Sequence, residues 1–316
     1  MLNAADVLHQ VAAAGYRFTT TTPLTHHRVL ARRGREAGTT LRDIFGWNLP
    51  FEGGAVAAEL LAGMETAGIL ERAGSLWRST VRIASIDDDL FLHSAYPTLE
   101  ANAVFFGPDT YRFARFIRHA LQAHQAPSRG PVRVLDVGCG SGAGGIVAAR
   151  ALAAAGTAAT VVMNDINPLA LQFTAVNADA AGIAVKLAQG DALSAVDGEF
   201  DLIVSNPPYL DDAAQRAYRH GGARLGRALS VRIAAESLRR LAPGGQLLLY
   251  TGVAIVDGED PFIAEMQPLL AASGCEWSYA EIDPDVFGEE LERPVYAHVD
   301  RVAAVGLVAT RAKQVP

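Results

Sequence analysis

Asn206-Pro207-Pro208-Tyr209 closes the apolar run Phe200-Asp201-Leu202-Ile203-Val204-Ser205, a pattern that predicts a buried strand ending in a rigid polar loop. Two consecutive prolines hold φ and carry no N–H. What remains at this strand end is mostly acceptor: the Asn206 side-chain oxygen and the Pro207 carbonyl. An acceptor pair is what an incoming NH2 group requires. The lone pair of an amide or exocyclic amine is delocalised and attacks poorly. Holding both N–H bonds orients the nitrogen, aims its lone pair at an electrophilic carbon and stabilises the positive charge that develops. Tyr209 can stack on the flat group that bears the nitrogen. No strong general base is required, because the nitrogen becomes acidic once the new bond has formed. The bland alternative is a turn that merely ends a strand.

The electrophile has a candidate site upstream. Asp136-Val137-Gly138-Cys139-Gly140-Ser141-Gly142 follows a strand pattern and precedes a helix pattern. Its glycines allow a sharp turn and close backbone approach to a ligand, and the next helix is expected to offer amide donors at its N-terminus. A glycine loop alone also suits a dinucleotide, but Asp136 would repel a pyrophosphate and attract the amino group of an amino acid. Asp165, followed by Ile166, stands where a carboxylate accepts from ribose hydroxyls; its alternative, capping the next helix, suits Asn167 better. Asp191, with Ala192, ends a third strand where an adenine amino group can be met; a turn aspartate is the alternative. Three acidic strand ends after one glycine loop fit S-adenosylmethionine better than NAD. Asn206 is assigned to both the cofactor wall and the substrate side.

These residues need a sheet to carry them. The pattern predicts strands at Val132–Val137, Thr160–Met163, Ala184–Ala188, Phe200–Val204 and Gln246–Tyr250. Helices are expected at Gly144–Ala155, Pro168–Ala181 and Arg227–Leu241, the last stopped by Pro243-Gly244-Gly245. Apolar strands alternating with helices imply an α/β fold with a parallel sheet covered on both faces. Glu276–Ile282 and Val302–Thr310 read as strands joined by a loop, so one of them runs antiparallel. A parallel sheet with an antiparallel C-terminal hairpin is similar to the Rossmann-like sheet of class I methyltransferases. Residues 1 to 100 differ. Helices are expected at Ala4–Ala14, Thr40–Phe45 and Ala55–Ala67, and strands at Ile69–Arg72, Trp77–Ala84 and Leu90–His93. That is a small α+β N-terminal domain with a winged-helix-like order, serving as an accessory or substrate-recognition unit before a methyltransferase domain at 101–316. Gln122–Gly130 is the expected boundary loop.

Asp-Val-Gly-Cys-Gly-Ser-Gly, Asn-Asp-Ile-Asn-Pro-Leu-Ala-Leu and Ser-Asn-Pro-Pro-Tyr, in this order and spacing, resemble the release-factor glutamine methyltransferases (the HemK type). The resemblance covers residues from about 100 to 316. It implies that Asn206 and Pro207 bind a glutamine amide and that Tyr209 stacks on it. Val104-Phe105-Phe106-Gly107-Pro108-Asp109-Thr110 resembles the family's segment enclosing the cofactor. Phe106 is assigned to the cofactor wall, and Phe105 is divided between the core and that wall. Arg219-His220-Gly221-Gly222 through Leu229 resembles the family's glycine-containing loop near the substrate. Residues 1 to 100 do not resemble the family's N-terminal helical bundle. Cys139 is more typical of relatives that methylate guanine N2 of ribosomal RNA, and the tetrapeptide is shared with adenine-N6 enzymes. The implied partner is a protein such as a release factor, with RNA as the alternative; a non-catalytic binding module is a third reading.

Composition narrows the classes further. The formal net charge is −7 over 316 residues, which argues against a broad phosphate-binding surface. Cys139 and Cys275 are expected to be free thiols in a reducing cytoplasm. No signal-peptide pattern opens the chain and no run is long enough to span a bilayer. His26-His27-Arg28 and Arg32-Arg33-Gly34-Arg35 are expected to form a solvated helix face, and Asp87-Asp88-Asp89 a turn. The histidines, His124 among them, show no metal-ligand spacing, and no serine has a readable His/Asp arrangement. Arg216, Arg219 and Arg224 are the arginines to watch: a continuous basic rim there would favour RNA.

Overall fold

A computed structural model describes residues 4–34, 36–123 and 130–313. Arg35, His124 and most of the expected boundary loop lie outside the described residues. Seven strands form the central sheet: β5 (Val132–Val137), β6 (Ala159–Asp165), β7 (Val185–Gln189), β8 (Phe200–Ser205), β9 (Leu241–Ile255), β10 (Glu276–Asp283) and β11 (Arg301–Thr310). Their order is β10-β11-β9-β8-β5-β6-β7. β9, β8, β5, β6 and β7 run parallel. β11 runs antiparallel to both β9 and β10. The expected Rossmann-like sheet with its antiparallel C-terminal hairpin is therefore observed.

Both faces of the central strands β5, β8, β9 and β11 are buried, while the edge strands β7 and β10 are largely exposed. Val132, Val134, Leu202, Val204 and Leu248 point to one face, where they meet α4 (Pro108–Ala123) and α5 (Ala143–Ala154). Leu135, Val137, Ile203, Leu247 and Leu249 point to the other, against α7 (Ala228–Leu238) and α8 (Pro261–Ser273). This two-sided burial explains why the strands read as continuous apolar runs. β9 starts at Leu241, well before the expected Gln246. Leu241 already pairs with Phe200, and the register shifts before Leu202 meets Gln246. Gly245 permits the bulge, since a Cβ there would stand 2.7 Å from the Phe200 carbonyl oxygen.

The first hundred residues contain α1 (Ala4–Ala13), α2 (Pro23–Arg33), a π-helical turn at Arg42–Gly46 and α3 (Ala58–Thr66). Two hairpins follow: β1 (Leu70–Ala73) with β2 (Leu76–Ser79), and β3 (Val81–Ile86) with β4 (Asp89–Ser94). The single strand expected over Trp77–Ala84 is in fact two. The break falls at Thr80, whose N–H donates to the Ile69 carbonyl, so the chain leaves one hairpin and enters the other. The turn at Asp87–Asp89 is as expected, with Asp87 at φ 51°. Its carboxylates pair with Arg118, Arg17 and Arg150.

The solvated helix face needs one correction. His27, Arg28 and Arg32 are exposed, but His26 is only 1 % exposed and stacks against Tyr96 and Trp47. Apolar residues of this region share a core with Ala170, Phe173 and Val176 of α6 (Pro168–Ala180). Asn177 of α6 accepts from the Leu92 N–H in β4 and donates to the carbonyls of Leu92 and Ser141.

Candidate active site

A cavity opens at the C-terminal ends of β5, β6, β7 and β8, the usual ligand position in an open α/β sheet. It is lined by Asp136, Gly138, Cys139, Gly140, Asp165, Ile166, Asp191, Ala192, Asn206, Pro207 and Tyr209. These are sequence candidates brought together from four separate strand ends.

Two candidates are placed elsewhere. Phe106 is 1 % exposed and lies in the core, stacked on His93 at 5.3 Å, whereas Phe105 lines the cavity. The adjacent aromatics in an extended segment project to opposite sides, and the sequence pair does not reveal which one faces inward. Gly142 is outside the lining and is the N-cap of α5, at φ 81°. A side chain there would press on Thr174 and Met163, so this glycine serves the turn and its packing.

The glycine loop also spends its donors differently from expectation. The amides of Gly138 and Cys139 both donate to the Asn164 carbonyl, Gly140 donates to Asp165 and Gly142 to the Cys139 carbonyl. At the start of α5, Gly145 donates to Asp136 Oδ2 at 2.7 Å. These amides hold the loop in shape and align the two acids, leaving the remaining carboxylate lone pairs to meet a ligand.

Asp136 is 1 % exposed, and burial pushes its carboxyl up to about 7. Burial also raises the Asp165 carboxyl above the usual carboxylate range. A buried and a half-buried acid lining one cavity suit a ligand carrying a positive charge. The Cys139 thiol is held well above its ordinary range by burial and lies 3.4 Å from Thr174 Oγ1, so it is an apolar wall element. Asp191 is largely solvated, and both its oxygens are taken by Arg232 at 2.5 and 2.8 Å, which lowers its carboxyl. An adenine amino group at this end would meet a carboxylate already paired, with Ala192, at φ 47°, beside it. Ile166 is 58 % exposed and offers an apolar edge.

The tetrapeptide presents its acceptors as the composition requires. Asn206 Oδ1 is buried and has no hydrogen-bond partner among the described residues. Among the described residues, no donor reaches the Pro207 carbonyl either. The loop is held from three sides. Gly221 and Gly226 lie so close that a Cβ on either would stand 2.6 Å from the Tyr209 Cα or 2.2 Å from its carbonyl oxygen. Gly252 of β9 makes room for the Tyr209 ring, which a Cβ there would approach to 2.2 Å. The Tyr209 hydroxyl donates to Asp109 Oδ2 at 2.6 Å, and Phe287 meets its ring edge-on at 5.9 Å.

Sequence reading missed Asp109, Tyr250, Tyr218 and Phe287. Asp109 stood within the quoted segment, but its partners are 100 and 141 positions away, and no local pattern reports such contacts. Tyr218 stacks on Phe105 at 5.8 Å and 14°, and both line the cavity. The loop that carries Tyr218 is tied to the chain before α4: Tyr218 Oη donates to the Thr98 carbonyl and Ala217 N to the Ala101 carbonyl.

Residues 114–254 match the family described as "Methyltransferase small domain". The matched segment runs from α4 into β9, so the likeness to a methyltransferase domain falls on the sheet that carries the cavity. It is 35% identical over 205 residues to a release factor glutamine methyltransferase of Deinococcus radiodurans, covering 61% of this chain and 66% of the relative. A ribosomal RNA small subunit methyltransferase C of Chromohalobacter salexigens is 38% identical over 117 residues, covering 37% of this chain and 30% of that one. The chain spans 54% to 66% of the length of the first three curated relatives it matches. Among solved structures, Trm5b of Pyrococcus abyssi shares the fold, with a TM-score of 0.50 and 16% identity over 77% of this chain and 62% of that one.

S-adenosylmethionine is the cofactor of such a methyltransferase domain, and the residues present fit it. Asp136 would supply a buried carboxylate and Asp165 a half-buried one for its cationic and hydroxyl groups, the glycine loop leaves space for it, and Ile166 would offer an apolar edge. No helix among the described residues is long and apolar enough to cross a membrane.

Proposed function

We propose that the chain transfers a methyl group to a planar NH2 nitrogen, with a glutamine side-chain amide of a protein such as a peptide chain release factor as its substrate. The observation that carries this reading is the buried, unpartnered Asn206 Oδ1 beside the free Pro207 carbonyl at the cavity wall. An unpaired buried acceptor costs on the order of 1–3 kcal/mol, and an NH2 donor removes that cost. S-adenosylmethionine, when bound, would supply an electrophilic methyl carbon whose bond to the sulfonium breaks as the C–N bond forms, leaving a neutral thioether. Asn206 and Pro207 hold the two N–H bonds, turn the lone pair towards that carbon and stabilise the charge arising on nitrogen. The nitrogen then releases a proton to solvent.

A protein substrate is favoured over RNA by the charge at the mouth. Arg216 is paired with Asp212 at 2.6 Å, Arg219 with Glu290, and Arg224 with Glu265 at 2.6 Å. Arginines neutralised in this way form no phosphate-binding rim. Residues 1–100 serve as the accessory, substrate-facing domain, and residues 101–316 as the methyltransferase domain. The Thr98 contact with the Tyr218 loop supports that division of labour.

The test is incubation of methyl-labelled cofactor with purified release factor and, separately, with unmodified ribosomal RNA. Label is expected on a release-factor glutamine. Asn206→Ala is expected to lower kcat by about 100- to 1000-fold while cofactor affinity is retained. Label entering RNA alone would overturn the glutamine assignment, and full turnover by the alanine variant would overturn the role of Asn206.

A further inference from the structure

Asp109 lies in the first turn of α4 and is 6 % exposed. Its two oxygens receive two tyrosine hydroxyls from different parts of the sheet. Tyr209, at the end of the Asn-Pro-Pro-Tyr loop, donates to Oδ2 at 2.6 Å, and Tyr250, on β9, donates to Oδ1 at 2.7 Å. Arg112, one turn further along α4, approaches Oδ1 at 3.1 Å and is itself held by Asp283 at 2.8 Å. An ionised carboxylate is acceptor-only, so it fixes the direction of both hydroxyl hydrogens. Both tyrosines are held above their ordinary range, by burial first and then by the neighbouring Asp109 charge.

This arrangement makes the Tyr209 hydroxyl unavailable to substrate or solvent and leaves only its ring at the cavity. It also reaches the reacting groups mechanically. Between Tyr209 and Asn206 stand two prolines whose φ angles are fixed by their rings, so little freedom separates the anchored ring from the acceptor pair.

We propose that Asp109 is a positioning residue for methyl transfer: through the carboxylate it shares between Tyr209 and Tyr250, it sets where the Asn206 and Pro207 acceptors stand. The inference rests on the proposed N-methyl transfer at this loop. A displacement of about 1 Å at such a site can cost roughly 100-fold in rate, so a clamp of this kind is worth a large share of the turnover.

The experiment is a double-mutant cycle between Asp109→Asn and Tyr209→Phe, with Tyr250→Phe as a variant that removes a single hydroxyl. Substrate is whichever of the release factor or ribosomal RNA accepts label from the unaltered enzyme. Asp109→Asn is expected to lower kcat about 10- to 100-fold, with cofactor Kd and substrate KM within about 3-fold. Adding it to Tyr209→Phe should cost little more, because both remove one linkage. Unchanged kcat in Asp109→Asn, or full additivity with Tyr209→Phe, would overturn the proposal.

A second readout needs no substrate and therefore separates this inference from the methyl-transfer reading. Near-ultraviolet tyrosine absorbance, with far-ultraviolet circular dichroism confirming the fold, should move to shorter wavelength in Asp109→Asn, because two buried hydroxyls lose a carboxylate acceptor. An identical spectrum in both would also overturn it. If neither macromolecule accepts label from the unaltered enzyme, the substrate assignment fails, and the spectrum decides the Asp109 linkage.

Discussion

Asp136 sits where burial and cofactor recognition oppose one another. Its carboxyl, raised to about 7 mainly by burial, is partly protonated near neutrality before a cation arrives. Between about pH 4 and 7 the folded chain keeps a proton there that the unfolded chain has released, so this group favours the fold less as pH rises. Binding has the opposite sign, since the ionised form attracts the positively charged cofactor. Calorimetric titration with S-adenosylmethionine is expected to show affinity rising as pH increases through about 7, by up to about tenfold per pH unit below it. Asp136→Asn should bind more weakly at alkaline pH and lose this contribution to the pH dependence. A flat profile for the unaltered protein would contradict the assignment. Asp191 was legible as a strand-end acid, but its bidentate pairing with Arg232, 41 positions away, was not.

Elements carry their own constraint at β9. This strand supplies Gly252 beneath the Tyr209 ring and Tyr250 to the shared carboxylate, so one strand forms both the floor and the anchor of the Asn-Pro-Pro-Tyr loop. Gly252→Ala would put a methyl 2.2 Å from the Tyr209 ring. Overpacking of this kind typically costs about 1–3 kcal/mol, and the ring is the part that can yield. A thermal melt is expected to show that loss alongside a kcat about 100-fold lower, with β9 still paired to β11. Normal turnover would mean that the ring position matters less than the geometry indicates. Continuous apolar runs made the central strands readable, whereas the bulge at Gly245 was concealed because Pro243-Gly244-Gly245 also reads as a helix stop. Strand pairing with Phe200 decides between these meanings, and that partner is remote in the chain.

At the scale of the whole molecule, the first hundred residues are fastened to the cofactor side of the sheet through α6. Asn177 is fully buried and joins β4 to the Ser141 carbonyl in the glycine loop by three hydrogen bonds. Asn177→Ala would leave three backbone groups unpaired, at a cost of about 1–3 kcal/mol for each one that finds no other partner. Chemical denaturation should show that destabilisation, and cofactor affinity should weaken because the loop loses a support. Stability and affinity both unchanged would mean that the first hundred residues and the cofactor loop are not coupled through this residue.

The residues themselves determined the chemistry and the sheet that presents it. Asn206-Pro207-Pro208-Tyr209 is acceptor-rich by composition, and the glycine loop and its strand-end acids follow from a local strand-to-helix pattern. Local pattern suffices there because proline geometry, glycine freedom and apolar periodicity act between near neighbours. The tertiary structure decided that Phe105 faces the cavity and Phe106 the core, that His26 is buried within a basic helix, and that the mouth arginines are neutralised. It also decided that Asp109 joins Tyr209 to Tyr250. Each of these depends on contacts between residues far apart in sequence, where only the closed fold specifies which side chains share a face, a charge or a hydrogen bond.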